Sequence, residues 1–249
     1  MSKIINYIAF IWLLVFSSTI LAEQTLKVGV GNFPPFFIEH DKKGIFIEII
    51  DEIFKQLPQY KVEYIFMSNN RILHEINYSK SIDVACNVFP SAKVNVYLSA
   101  PIFRFRDVAV SKKSKHLAIN TIADLQGKSI AAYQGATDLL GDEFKQMAQI
   151  NPEYSEYAHA KETTLLMLSG QKDIRVGDIN IFWYDLNNKH YDNYKAVAHS
   201  DFTVHYLWPQ VYSHMAFKDL ELKNLVDEII KDLTLNGTIE QIYSRYKMQ

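Results

Sequence analysis

The chain has 249 residues, 26 basic and 28 acidic, a formal charge of −2 and 48% hydrophobic residues. That length buries a sizeable core and fits one large domain or two small ones. The near-balance of charge leaves no basic excess to grip phosphates, which argues against a nucleic-acid partner.

The chain opens with one positive charge, Lys3. An apolar run then extends from Ile4 to Leu21, interrupted by Asn6, Ser17, Ser18 and Thr19, and ends at Ala22. Charged start, apolar middle and small exit residue make a secretory signal, so residues 1–22 are expected to be cleaved near Ala22. A retained anchor is the alternative, because the run is nearly long enough to span a bilayer. No Cys follows Ala22, so a lipid anchor is not indicated. Either way the bulk of the chain works beyond the inner membrane. Cys86 is the single cysteine, so no internal disulfide can form. It sits in a mostly apolar run, and a buried, inert thiol is expected.

Leu26 to Val30 alternates and reads as a strand. Pro34 and Pro35 end it, because each lacks a backbone donor. Ile45, Phe46, Ile49, Ile50, Ile53, Phe54 and Leu57 recur at helical spacing. A strand from Lys61 to Met67, a helix from Arg71 to Tyr78 and a strand from Ile82 to Val88 complete a β-α-β-α-β unit, the rhythm of an α/β domain. After a strand at 108–110 the pattern restarts. It gives a Thr121-capped turn of helix, a strand from Lys128 to Tyr133, and a helix from Gly135 to about Met147. A strand from Tyr154 to Ala158, a helix from Lys161 to Ser169 and a strand from Ile174 to Ile181 follow. Met215 to Phe217 is a late strand. Two closing amphipathic helices, Leu220 to Leu235 and Thr238 to Tyr246, are separated by Asn236-Gly237. Two α/β units in succession, with no low-complexity linker, predict two small domains joined by ordered strands.

Four segments carry a family resemblance. They are Leu26–Val30 with Phe33-Pro34-Pro35-Phe36; Lys80-Ser81-Ile82-Asp83-Val84; Ile122–Ile130 with Gln134-Gly135-Ala136-Thr137; and Asn236–Tyr243. In this order they resemble bacterial solute-binding proteins of family 3, the periplasmic amino-acid-binding type. The second segment departs from the family pattern by carrying Lys80 where Gly is usual. The resemblance implies an α/β, two-lobed periplasmic-binding-protein fold (type II). Each lobe is a mixed, mostly parallel sheet flanked by helices, and two crossover strands join them. Lobe one takes residues 23–109 plus 212–249, and lobe two takes 110–211. It further implies a monomeric periplasmic protein that holds a small polar, amine-bearing ligand in the interlobe cleft. The loaded protein passes its ligand to an inner-membrane permease or reports to a receptor. Hinged lobes close around such ligands, and open α/β sheets bind at the carboxyl ends of their strands. A sensor partner and an exported dehydratase on the same scaffold are the alternatives, since fold does not fix function. No nucleophile-elbow, metalloprotease or phosphate-loop motif offers another enzyme class. No cofactor is implied. His199, His205 and His214 lack a tight metal-ligand spacing. His205, Tyr206, Trp208 and Tyr212 are candidates to line the second crossover and the cleft.

The site residues follow from the same alignment. Phe33, held by the proline turn, would stack on the ligand; packing beneath the turn is the alternative. Asp178 resembles the strand-end acid that receives an ammonium; a solvated strand-end acid is the alternative. Gly135 and Thr137 open a helix whose free amides suit a carboxylate, or Thr137 simply caps it. The family's carboxylate-clamping Arg is missing, because Ala92 stands at its position. Arg71, Arg104 or Arg106 would have to substitute. Arg104 and Arg106 share one strand face by parity.

Overall fold

The first strand, β1 (Gln24–Val30), is buried at Leu26, Val28 and Val30, and pairs in parallel with β2 (Tyr60–Phe66) from Gln24↔Tyr60 to Val30↔Phe66. Between them lies α1 (Ile45–Phe54), which buries seven apolar residues. It can start there because Gly44 takes φ 125°, and a Cβ at that position would lie 2.4 Å from the Phe36 carbonyl oxygen. These coordinates are a computed structural model that describes residues 23–187 and 198–247. The expected leader, residues 1–22, lies outside the described residues. Among the described residues no helix is long and apolar enough to cross a membrane.

Ser68 caps α2 (Asn69–Tyr78) by accepting from the Arg71 amide at 3.4 Å, and Ile72 and Ile76 seat that helix. Four more strands follow: β3 (Val84–Val88), β4 (Tyr97–Leu98), β5 (Phe103–Phe105) and β6 (Asp107–Lys112). The second unit carries β7 (Ile130–Tyr133), α3 (Ala136–Leu139), α4 (Asp142–Ile150), β8 (Tyr154–Tyr157), α5 (Ala160–Ser169) and β9 (Ile174–Asp178). Then come α6 (Ile179–Asn187), β10 (Phe202–His205), β11 (Val211–Phe217), α7 (Leu220–Leu235) and α8 (Thr238–Lys247).

The strands form two sheets. One runs β2-β1-β3-β11-β4, with β5 on β11; the other runs β10-β6-β9-β7-β8. In each sheet one strand opposes all the others, β11 in the first and β6 in the second. Both sheets are therefore mixed and mostly parallel in direction, as expected. The reversed strands are the ones the chain enters after crossing between sheets. The two crossings meet where Val211–Ser213 pairs with Phe103–Phe105.

Four expectations need correction. Asp107 to Ser111 pairs with β9, so residues 107–109, expected in lobe one, belong to the second sheet. Likewise Val211 already pairs in the first sheet, so β11 begins four residues before the predicted Met215. The helix predicted from Gly135 to Met147 is two helices, broken at Gly141, whose φ of 91° no helix accommodates. The strand predicted through Ile181 stops at Asp178 and becomes α6.

Packing explains the two-sheet division. Phe46 is fully buried, with ring centroids 4.5 Å from both Phe36 and Phe103, 5.3 Å from Phe37 and 5.3 Å from Phe105. This aromatic cluster ties the first sheet's core to the crossing strand β5. The second sheet is covered on both faces: Val108 and Val110 pack with Phe182, Trp183 and Phe202, while Ala109 packs with Ile130, Phe144 and Trp208. The period-two alternation of β6 serves both layers. Cys86 is buried as expected, and burial pushes its thiol upward.

Candidate functional site

The carboxyl ends of the parallel strands face a cavity of about 870 Å³ between the two sheets' halves. Asn32, Phe33, Pro34 and His40 line it from the first half, and residues 158–161, Leu165, Ile181, Tyr184 and Asp185 from the second. The Phe33 turn is closed by hydrogen bonds. Its carbonyl accepts from the Phe36 and Phe37 amides at 3.1 and 3.2 Å, and the Asn32 side chain donates to Glu39 at 2.9 Å. The half-buried Phe33 ring rests edge-on to Phe37 at 5.4 Å. It also lies over Gly31, where a Cβ would come within 2.8 Å of it. The ring thus packs against the first core while one side lines the cavity. Lys161 and Asp185 bring both signs of charge to the lining, and Thr164 donates to Asp185 at 2.7 Å.

Asp178 is buried, and its carboxylate is filled from within. Oδ2 accepts from the Arg106 amide at 2.8 Å; Oδ1 accepts from the Asn180 amide at 2.8 Å, the Asn180 side chain at 3.2 Å and the Ile181 amide at 3.3 Å. The residue therefore caps α6 and ties it to the first crossing. Burial raises its carboxyl above the usual range despite these donors.

Asp107 faces Asp178 across the β6–β9 register. Among the described residues it accepts one hydrogen bond, from the Tyr133 hydroxyl at 3.3 Å. Burial, and then the neighbouring Asp178 charge, push it up to about 7. The folded state thus holds a proton that the unfolded chain, with an ordinary carboxyl near 4, releases earlier. Stability is therefore expected to fall as pH rises from about 4 to about 7, by roughly 2 kcal/mol once partial solvent access is allowed for. Asp107→Asn removes the ionisation. Urea midpoints measured from pH 4.5 to 8 are expected to lose that slope in the variant, and an unchanged slope would reject the assignment.

The other expected positions have different partners. The amides of Gly135 and Thr137 point at a carboxylate, but it is the chain's own. Glu156 accepts from Gly135 at 2.7 Å, from the Thr137 amide at 3.1 Å and hydroxyl at 3.0 Å, and from the Tyr154 hydroxyl at 2.8 Å. Burial alone would raise Glu156; these donors overcome it and hold the carboxyl below its usual range. Arg71 is exposed on α2, 3.5 Å from Glu75, and does not line the cavity. Arg104 pairs with Glu240 at 2.8 Å and lies 4.2 Å over the Tyr243 ring. Arg104 and Arg106 do share a face, but it lies on the side of α6 away from the Phe33 cavity. Neither replaces the missing clamp there. His205 is buried between Ser111 and the Ile119 carbonyl, and Trp208 lies in the second sheet's core. Sequence reasoning misses Tyr184 and Asp185 because the predicted strand ends at Ile181 and no helix is predicted after it. The spacing of Ile181, Tyr184 and Asp185, one helical face, was the available signal.

Residues 26–249 match the bacterial extracellular solute-binding proteins, family 3. The L-cystine-binding protein TcyJ of Bacillus subtilis (strain 168) is 26% identical over 236 residues, covering 90% of this chain and 84% of that protein. An ancestral cationic amino acid solute-binding protein superposes with a TM-score of 0.70 at 21% identity, covering 91% of this chain and 97% of its own. The L-cystine solute receptor of Neisseria gonorrhoeae, in its unliganded open conformation, gives 0.67 at 18% identity, covering 91% and 94%. The two structural likenesses show the two-lobed fold.

Proposed function

The chain belongs to the bacterial extracellular solute-binding proteins, family 3, and from that premise we propose that it captures an amino acid in the cavity between its lobes. The reading rests chiefly on one observation: the cavity at Phe33 is lined from both halves, pairs aromatic rings with both signs of charge, and is about 870 Å³. Phe33 and Tyr184 offer flat apolar surface to a ligand's side chain. With Ala92 at the usual Arg position and Glu156 on the Gly135 and Thr137 amides, a carboxylate is held here by other groups than the resemblance implies. L-cystine, the ligand named for two of the relatives, is the first candidate.

The protein is read as a periplasmic monomer, cleaved near Ala22, that delivers its ligand unchanged to an inner-membrane permease. Lobe movement about 106 and 206–210 would close the cavity. Calorimetric titration of the mature protein with L-cystine and the twenty standard amino acids tests this. At least one is expected to bind and to raise thermal stability, by about 2.7 kcal/mol at a hundredfold excess over Kd. If none binds, the reading fails. Phe33→Ala is expected to weaken the bound ligand by about 2 kcal/mol, roughly thirtyfold, with little change in the unfolding midpoint. Equal affinity in the variant would remove Phe33 from the site.

A further inference from the structure

A second cavity, of about 230 Å³, lies across α6 from the first. Ile179, Asn180 and Trp183 face it, whereas Ile181, Tyr184 and Asp185 face the other. Its remaining walls are the first crossing at Arg104 and Arg106, the second crossing at Tyr206 and Gln210, and α8 from Glu240 to Lys247. No lining residue is shared between the two cavities.

The charges in this second cavity do not balance. Arg104, Arg106 and Lys247 meet a single acid, Glu240, and that acid is taken by Arg104 at 2.8 Å. Arg106 has no ion pair among the described residues. Its guanidinium lies 4.8 Å over the Tyr206 ring, and its Nε is buried without a hydrogen-bond partner. The backbone amide of the same residue is already committed to Asp178. A guanidinium fixed by stacking, with a buried donor left over, is preorganised for a planar or tetrahedral oxyanion. Leaving such a donor unmade is costly, and an anion entering the cavity would relieve that cost. Ser244 adds a hydroxyl at the wall.

We propose that this cavity at the crossings binds a small oxyanion, a carboxylate or phosphate group, through the Arg106 guanidinium with support from Lys247. The site is independent of the amino-acid cavity. Because its walls come from α6 of one lobe, α8 of the other and both crossings, an occupant touches the parts that must shift when the lobes move.

Inorganic phosphate and acetate are the probes, titrated into the mature protein at constant ionic strength with chloride as the balancing ion. Trp183 lines the cavity, so its fluorescence reads occupancy directly, and calorimetry gives the affinity. Wild type is expected to bind at least one probe in the millimolar range. Arg106→Gln is expected to weaken it about tenfold or more, Lys247→Gln to weaken it less, and Phe33→Ala to leave it unchanged. The Lys247 variant keeps the test open if Arg106→Gln does not fold. Three results would overturn the proposal: no response to either probe in wild type, a response equal in both cation variants, or a response lost with Phe33→Ala.

Discussion

Phe46→Ala is expected to destabilise the protein by about 3–5 kcal/mol, the range for emptying a fully buried phenyl site. Four rings surround Phe46, and none can readily collapse into the space. The backbone amides of Phe36 and Phe37 are pinned by hydrogen bonds to the Phe33 carbonyl; Phe103 and Phe105 belong to a strand paired with β11. The resulting cavity therefore persists and carries its full cost. The loss also loosens the first lobe's hold on the crossing, because Phe105 stands one residue before Arg106. Denaturant unfolding with an unchanged slope and a lower midpoint is the expected record. Leu225→Ala, at an exposed position on α7, serves as the control and is expected within about 0.5 kcal/mol of wild type. A Phe46→Ala cost no larger than the Leu225→Ala cost would mean the first lobe's core is not organised around this cluster.

Much of this fold is legible from local pattern, and the failures share a cause. The closing helices follow from strong apolar periodicity and the Asn236-Gly237 stop, and α7 ends at Leu235 as the spacing predicts. The strand is predicted too long because Ile179 and Ile181 continue the alternating β-branched positions of Ile174 and Val176. What turns these residues helical is the Asp178 carboxylate accepting from the Asn180 and Ile181 amides, and a strand-end acid looks the same in sequence whether it caps a helix or meets a ligand. The site divides along the same line. The turn at Phe33 is legible because Pro34 and Pro35 cannot continue the strand. Glu156 is not, because its partners Gly135 and Thr137 lie about twenty residues away and only the parallel β7–β8 pairing brings them together. Parity places Arg104 and Arg106 on one face, but the direction of that face depends on where α8 packs.

Asp178→Ala is expected to cost about 2–3 kcal/mol. Three backbone amides lose their acceptor at once: Arg106, Asn180 and Ile181. Losing a helix cap costs about 1 kcal/mol, and orphaning a buried amide costs about 1–3 kcal/mol. Relief of a buried negative charge beside Asp107 offsets part of the sum. Asp178→Asn keeps an oxygen for the α6 amides and is expected to lose about half as much. Ligand affinity should fall with the Ala variant, because α6 carries Ile181, Tyr184 and Asp185 to the cavity and its first turn would no longer be anchored to the crossing. The pH dependence separates charge from capping. Asp107 is raised first by burial and second by the Asp178 charge, so neutralising Asp178 should shrink the loss of stability between pH 4 and 7 without abolishing it. If Asp178→Ala unfolds at the wild-type urea midpoint, Asp178 does not tie α6 to the crossing. If Asp178→Asn leaves the pH slope of wild type intact, the two carboxylates are not electrostatic neighbours, and Asp107 is raised by burial alone.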